Sequence, residues 1–229
     1  MFYNKNMEVK INGITINYEE AGEGKPIVLL HGNGETHEIF DKLCPLLVAD
    51  GYHVYAIDSR CHGKSQDTQE ISYELMAGDV LAFVSRLNLN KPTVVGFSDG
   101  AIVALIMEIK KPGTIGKMVI SGANTSPHGL VKKWYRLFKF HYFFHRDKKV
   151  KMIICQPHIT DQQLGMINCP VLITAGEKDM VDKRDTKRIY LNIHNSEMII
   201  LKNETHDSYI VHNPKYYEVI KPFLDKKEV

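Results

Sequence analysis

A serine lies between two glycines at the predicted junction of a buried strand and a helix. Residues 93–101 read Thr-Val-Val-Gly-Phe-Ser-Asp-Gly-Ala, so Ser98 stands in a G-x-S-x-G pattern. Gly96 and Gly100 let the backbone turn sharply, which would expose Ser98 above the N-terminus of the following helix, where developing negative charge is favoured. This context predicts a nucleophilic serine, and the alternative is a glycine-rich turn with an N-capping serine.

A serine hydroxyl is a poor nucleophile near neutral pH unless a general base takes its proton. The chain has 11 histidines, and His206 is distinguished from the others by its position just after the last predicted strand, at residues 197–201. The strand before it is followed by three carboxylates that could orient an imidazole. They are Glu177, Asp179 and Asp182.

The chain resembles the α/β-hydrolase superfamily over nearly its whole length. After the third predicted strand, residues 30–34 read Leu-His-Gly-Asn-Gly and are similar to the family's HG-x-G loop. After the fourth, residues 58–65 read Asp-Ser-Arg-Cys-His-Gly-Lys-Ser and look like the family's structural D-x-R-G-x-G-x-S turn. Cys61 replaces a glycine there, which indicates a tolerated backbone conformation or local strain and no catalytic role for the thiol.

The resemblance also selects the acid among the three carboxylates. Asp179 stands three residues after Gly176, as in the family's strand-G-x-x-D pattern, so Glu177 and Asp182 are expected to be solvated loop carboxylates. The resulting chain order of nucleophile, acid and histidine is that of this fold and differs from the chymotrypsin and subtilisin orders. The implied catalytic triad is Ser98, Asp179 and His206.

By the same resemblance, the backbone N–H groups of Asn33 and Asp99 form an oxyanion hole. The expected function is a serine hydrolase that cleaves a carboxylic ester or related acyl bond through an acyl-enzyme, without metal or organic cofactor. Amino-acid-ester or aminopeptidase-like hydrolases, lactonases and carbon–carbon bond hydrolases use the same triad and remain alternatives. A non-catalytic ligand-binding protein is disfavoured because such relatives usually lack a triad residue. The Asp99 side chain could pair with a substrate ammonium or supply charge at the helix N-terminus.

Short apolar segments alternate with helical ones, which predicts an α/β fold with a mostly parallel sheet covered on both faces. The pattern indicates eight strands, at residues 7–11, 14–19, 27–31, 53–58, 93–97, 117–121, 171–175 and 197–201. The first two are joined by Asn12-Gly13, a type I′ turn signal, and should form an antiparallel hairpin. Helices are predicted at residues 36–49, 72–88, 99–110, 183–193 and 214–225.

We interpret the chain as a single α/β-hydrolase domain, residues 1–229, with a cap insertion at about 123–168, because the gap there exceeds what a crossover needs. Within it, Trp134, Phe138 and Tyr142 share one helical face, which should line the substrate pocket. The basic residues between them would face water. The preferred interpretation is an amphipathic lid helix, and the alternatives are a membrane-surface helix or an anionic-ligand patch. So short a cap implies an open pocket for a small or medium acyl substrate.

Composition argues for a globular protein with a small-molecule substrate. The net charge of +2, from 29 basic and 27 acidic residues, does not favour a nucleic-acid partner. Neither a signal-peptide core nor an apolar stretch of about 20 residues is present, so we expect a cytoplasmic location and no stable membrane association. The sequence leaves open whether the protein forms a homo-oligomer.

The cysteines lack metal-site spacing, and we interpret them as reduced packing thiols. They are Cys44, Cys61, Cys155 and Cys169.

Overall fold

The computed structural model describes residues 6–226, which contain an eight-stranded sheet of order β1-β2-β4-β3-β5-β6-β7-β8. The strands are β1 (Asn6–Ile11), β2 (Ile14–Ala21), β3 (Lys25–Leu30), β4 (Tyr52–Ile57), β5 (Thr93–Phe97), β6 (Lys117–Ser121), β7 (Val171–Gly176) and β8 (Ser196–Leu201). β2 pairs antiparallel with β1 and β4, and the remaining pairs are parallel. The α/β fold class and the mostly parallel sheet are confirmed.

Helices connect the strands and cover both faces of the sheet. They are α1 (Cys44–Ala49), α2 (Tyr73–Arg86), α3 (Asp99–Lys110), α4 (Lys132–His145), α5 (Lys148–Cys155), α6 (Asp161–Leu164), α7 (Lys183–Asn192) and α8 (Lys215–Leu224). Short 3₁₀ helices lie at His37–Phe40 and Pro127–Gly129. The segment between β6 and β7, where an insertion is predicted, contains α4, α5 and α6.

Alternate residues of the buried strands pack into two separate cores, because successive side chains of a strand point to opposite faces. In β3, Val28 and Leu30 join the core that also holds α2, α3 and α7. Ile27 and Leu29 join the opposite core, which holds α1 and α8. All four side chains are fully buried, which explains why this strand reads as a continuous apolar run.

Two local features follow from single residues. Asn12 and Gly13 have φ of 49° and 77°, the left-handed backbone that a type I′ turn requires. The helix predicted over residues 36–49 is wrong as one element, because it is divided into a 3₁₀ turn and α1. Pro45, near the start of α1, has no N–H to continue a helix from the preceding turn.

Of the helices within residues 6–226, none is long and apolar enough to cross a membrane. The expectation about a signal peptide falls mostly on residues 1–5, which lie outside the described residues.

Candidate active site

Ser98 stands at a sharp turn between β5 and α3, with φ of 52° and ψ of −114°. The two flanking glycines are required by space. A Cβ at Gly96 would lie 2.4 Å from the carbonyl oxygen of Gly100, and a Cβ at Gly100 would lie 2.1 Å from the carbonyl oxygen of Leu30. Because Ser98 N–H also donates to Ser121 O at 2.8 Å, the strained turn is held against β6.

His206 lies between Ser98 and Asp179 in the loop that follows β8. Its Nε2 is 3.0 Å from Ser98 Oγ, and its Nδ1 is 2.6 Å from Asp179 Oδ1. Asp179 also accepts the N–H groups of Val181 and Gly176, at 2.9 and 3.2 Å. Burial would raise the pKa of Asp179, but the hydrogen bond and charge of His206 hold that pKa below its ordinary range. This arrangement assigns the proton to Nδ1 and leaves Nε2 to accept the serine proton.

The two competing carboxylates bind elsewhere. Glu177 accepts the N–H of Asn203 at 3.0 Å. Asp182 caps α7, accepting the backbone N–H and the guanidinium of Arg184 at 2.9 and 2.7 Å. The structure therefore brings Asp179 to the imidazole and not its neighbours, and the catalytic roles of these residues stay predictions.

The loop after β3 is fixed by a buried, neutral histidine. His31 Nε2 accepts the N–H of Ser59 at 3.0 Å, so its Nδ1 carries the proton and donates to Gly32 O at 2.7 Å. Burial lowers the pKa of His31 to about 4, which keeps the ring uncharged. The backbone N–H groups of Asn33 and Asp99 have no acceptor among the loop and turn hydrogen bonds of residues 6–226, and both residues line the cavity beside Ser98.

The turn after β4 is anchored by Asp58, which is fully buried. It accepts the backbone N–H and the ring Nδ1 of His37 at 2.9 and 2.7 Å, Asn17 Nδ2 at 3.0 Å and Lys64 N–H at 3.0 Å. Burial would raise the pKa of Asp58, but the hydrogen bonds from His37 hold it well below its ordinary range. Cys61 has φ of 63°, a left-handed conformation that a glycine would adopt without strain.

A cavity of about 250 Å³ opens above Ser98 and His206. Its apolar wall comes largely from the segment between β6 and β7 and from the loop after β7. The residues of this wall are Leu130, Phe138, Ile153, Met180 and Val181. Of the three aromatic residues predicted to line the pocket, Phe138 does so, whereas Trp134 and Tyr142 are half-buried on the same side of α4 and are not among its lining residues.

Three carboxyl groups also line this cavity, those of Glu35, Asp99 and Asp207. Asp99 is buried and accepts Tyr73 OH at 2.7 Å and Asn33 Nδ2 at 2.8 Å. Burial raises its pKa, although both hydrogen bonds oppose that shift. Among residues 6–226, no group of three or more His, Cys, Asp or Glu is placed to hold a metal ion.

Glu35 and Tyr73 were missed by the sequence analysis. Glu35 accepts Gly32 N–H at 2.9 Å, and burial raises its pKa to about 7. Its position two residues after Asn33, in the same loop, was a usable signal. The sequence around Tyr73 gave no such signal, because the contact of Tyr73 with Asp99 joins residues that are 26 apart in the chain.

The chain is similar in sequence and in fold to known proteins. The model of a family described as alpha/beta hydrolase fold matches residues 25–148. Serine hydrolase BPHL of Homo sapiens is 29% identical over 250 residues, covering 95% of this chain and 85% of the human protein. An esterase from Exiguobacterium antarcticum has the same fold, with a TM-score of 0.82 and 20% identity over 97% of this chain and 100% of its own. A meta-cleavage product hydrolase from Pseudomonas fluorescens IP01 is also similar in fold, with a TM-score of 0.80 and 16% identity over 96% of this chain and 97% of its own.

Proposed function

The chain belongs to the family of the alpha/beta hydrolase fold, and from that premise we propose that it is a serine hydrolase of carboxylic esters with small or medium acyl groups. The observation that carries the proposal is the line of hydrogen bonds from Ser98 Oγ through His206 to Asp179, at 3.0 and 2.6 Å. Ser98, at one end of this line, borders a cavity whose wall is mainly apolar, as an acyl chain requires.

In the first half of the proposed reaction, His206 Nε2 takes the Ser98 proton as Oγ attacks the ester carbonyl carbon. Asp179 holds the Nδ1–H tautomer and stabilises the imidazolium. The negative charge that develops on the carbonyl oxygen is received by the amides of Asn33 and Asp99, where loss of one such donor typically costs about 3 to 4 kcal/mol.

Collapse of the tetrahedral intermediate breaks the ester C–O bond, and the imidazolium returns its proton to the leaving alkoxide. Water then attacks the acyl-enzyme with His206 again as the base, and the acid product leaves Ser98 free. Every proton in this cycle moves through the same Nε2 atom, so no cofactor is needed.

Covalent labelling tests the nucleophile directly. A fluorophosphonate should label the wild-type protein at Ser98, and Ser98→Ala should lose both labelling and hydrolysis of p-nitrophenyl acetate and butyrate while unfolding at the same temperature. Ser85→Ala, which changes an exposed serine of α2, is the matched control and should behave as wild type. Labelling at another serine would remove the basis of the proposal.

An amino-acid-ester hydrolase is the second candidate, and the carboxyl groups of the cavity favour it. Glu35, Asp99 and Asp207 line the cavity, whereas no Lys or Arg within the described residues does so. A substrate ammonium would find acceptors beside the scissile bond, and Asp99 is adjacent to the nucleophile.

Paired substrates separate the two candidates. If the cavity selects an ammonium, an amino-acid p-nitrophenyl ester should exceed its analogue without the amino group in kcat/KM, and Asp99→Asn should remove that preference while leaving the simple ester nearly unchanged. A preference for the simple ester would leave the first candidate. Lactones and vinylogous diketones, assayed in parallel, test the lactonase and carbon–carbon hydrolase alternatives.

A further inference from the structure

The outer face of α4 presents large apolar side chains to solvent. Leu137, Phe140, Phe143 and Phe144 are 53%, 64%, 64% and 62% exposed, and α4 contains no buried residue. Phe144 packs edge to face against both Phe140 and Phe143, with ring centroids 4.8 and 5.1 Å apart. The rings therefore form one continuous patch, which we call the α4 aromatic patch, and such patches mark binding surfaces.

The opposite face of the same helix is already occupied. Trp134, Phe138 and Tyr142 are half-buried, and Phe138 reaches the active-site cavity. Leu137, Phe140 and Phe144 recur at helical spacing on the other side. The helix thus has two apolar faces, of which the inner one packs on the protein and the outer one has no covering within residues 6–226.

The charged side chains of α4 and of its C-cap residue Arg146 are all of one sign. Five Lys and Arg residues lie on or beside α4, and no acidic residue interrupts them. They are Lys132, Lys133, Arg136, Lys139 and Arg146. Asp147, the first acid beyond them, is used as the N-cap of α5. In a protein of net charge +2, these residues form a local basic surface.

These cations also lack carboxylate partners among the described residues. Some exposed cations elsewhere have such partners, as in the pair of Lys110 and Glu74 at 2.9 Å. Around the patch the neighbours are aromatic rings instead, since Arg146 lies 5.4 Å from the Tyr142 ring centroid and 5.7 Å from that of Phe143. The stem of such a cation covers apolar surface, and its charged end stays available to an external anion.

We propose that α4 docks on an anionic lipid bilayer, with the α4 aromatic patch inserted at the headgroup level and the surrounding cations on lipid phosphates. A helix with exposed aromatics and a basic flank is the form that lies in the plane of a membrane interface. A second copy of the chain fits less well, because it would place five cations against five. This proposal develops the membrane-surface alternative for the cap helix and departs from the expectation of no stable membrane association, which rested on the lack of a signal-peptide core and of a membrane-spanning apolar stretch.

Docking in this orientation would hold the active-site cavity about one helix diameter from the lipid, roughly 10 Å, because Phe138 on the inner face of α4 lines that cavity. If the proposed ester hydrolysis is correct, amphiphilic esters dissolved in the bilayer become its accessible substrates. The binding itself does not depend on that activity.

Vesicle sedimentation tests the docking. The full chain should sediment with vesicles of phosphatidylcholine containing about 30% phosphatidylglycerol, and its partition coefficient should fall at least about tenfold on pure phosphatidylcholine or when NaCl rises from about 0.05 to 0.5 M. F140S/F144S and K133Q/R136Q/K139Q should each lose at least about tenfold on the anionic vesicles. The matched control K187Q/L191S, which changes an exposed cation and an apolar residue that is 65% exposed on α7, should bind as wild type.

Ser98→Ala separates this proposal from the proposed function, because it should abolish hydrolysis and leave sedimentation unchanged. Failure of the wild type to sediment with anionic vesicles would overturn the docking, and so would sedimentation of both α4 variants equal to that of the wild type. So would a concentration-dependent dimer in size-exclusion chromatography that F140S/F144S converts to monomer, since the occupant would then be a second copy.

Discussion

Asp179 reaches the imidazole of His206, whereas Glu177 and Asp182 bind a backbone amide and an arginine. We predict that Asp179→Asn keeps the fold and lowers kcat on a simple ester by on the order of 10⁴, because an asparagine amide holds the wrong tautomer of the histidine. Asp182→Asn and Glu177→Gln are the matched controls and should stay within about twofold of wild type. If Asp179→Asn retains most of the activity while either control loses it, another carboxylate is the acid.

Glu35 titrates in an unusual range because of where it lies. Burial raises its pKa from about 4.5 to about 7, so between these values the folded protein holds a proton that the unfolded chain has released. Stability should therefore fall as pH rises through this window. We predict that Glu35→Gln, whose amide oxygen still accepts Gly32 N–H, is more stable than wild type at pH 8, by at most about 3 kcal/mol, and not at pH 4.

Thermal unfolding of the wild type and Glu35→Gln at the two pH values measures this difference. Glu38→Gln, which changes an exposed glutamate three residues further on, should shift stability by less than about 0.5 kcal/mol at either pH. An equal gain at pH 4 and pH 8 for Glu35→Gln would mean that packing, and not ionisation, explains the effect.

At the scale of secondary structure, the sequence predicts best where burial is complete. The bounds of β5, β6 and α3 agree with their predicted ranges, because short β-branched runs and a following helical period leave little choice of element. The position of each residue of the proposed triad after a strand end is predictable for the same reason, since the carboxyl ends of β5, β7 and β8 meet at one edge of a parallel sheet.

What depends on contacts distant in sequence could not be predicted. The hydrogen bond of Tyr73 to Asp99 requires α2 to pack beside α3, which no local pattern encodes. For α4, the helical period predicts correctly that Phe138 faces the cavity, but Trp134 and Tyr142 on the same face are not among the lining residues, because packing decides which of these rings reaches the cavity. The bulk of the fold therefore follows from periodicity, and the walls of the site follow from packing.

The turn that presents Ser98 leaves no room for a side chain at Gly100. An added Cβ would contact Leu30 O at 2.1 Å and Leu30 C at 2.5 Å, and backbone atoms cannot move aside as a flexible side chain could. We predict that Gly100→Ala destabilises the protein by about 3 kcal/mol and lowers kcat/KM, since α3 must shift away from β3. Gly78→Ala in α2, where a Cβ would meet nothing within 4 Å, should instead stabilise by about 0.5 to 1 kcal/mol. Similar effects of the two alanines would refute the steric argument.

At the scale of the whole molecule, one sheet separates two hydrophobic cores, and the segment between β6 and β7 contributes to one of them. Met152 of α5, together with Ile159, Leu164 and Ile167, packs into the same cluster as α2 and α3. The predicted cap therefore shares a core with the sheet and has no separate one. That arrangement supports the prediction of a single domain, which unfolding can test.

We predict that the described fold unfolds as one cooperative unit. Phe40 and Phe83 are fully buried in the two different cores, so Phe40→Ala and Phe83→Ala should each lower the free energy of unfolding by about 3 to 5 kcal/mol through lost burial and a residual cavity. Leu191→Ala, at a side chain that is 65% exposed, is the control and should change it by less than about 0.5 kcal/mol. Urea titrations followed by far-ultraviolet circular dichroism and by fluorescence of the single tryptophan, Trp134 on α4, provide two probes of the same transition. If the two probes give the same midpoint within each of the four proteins, the sheet, both cores and the inserted helices fold together. An earlier fluorescence transition would instead show that the insertion unfolds by itself and that the single-domain prediction is wrong.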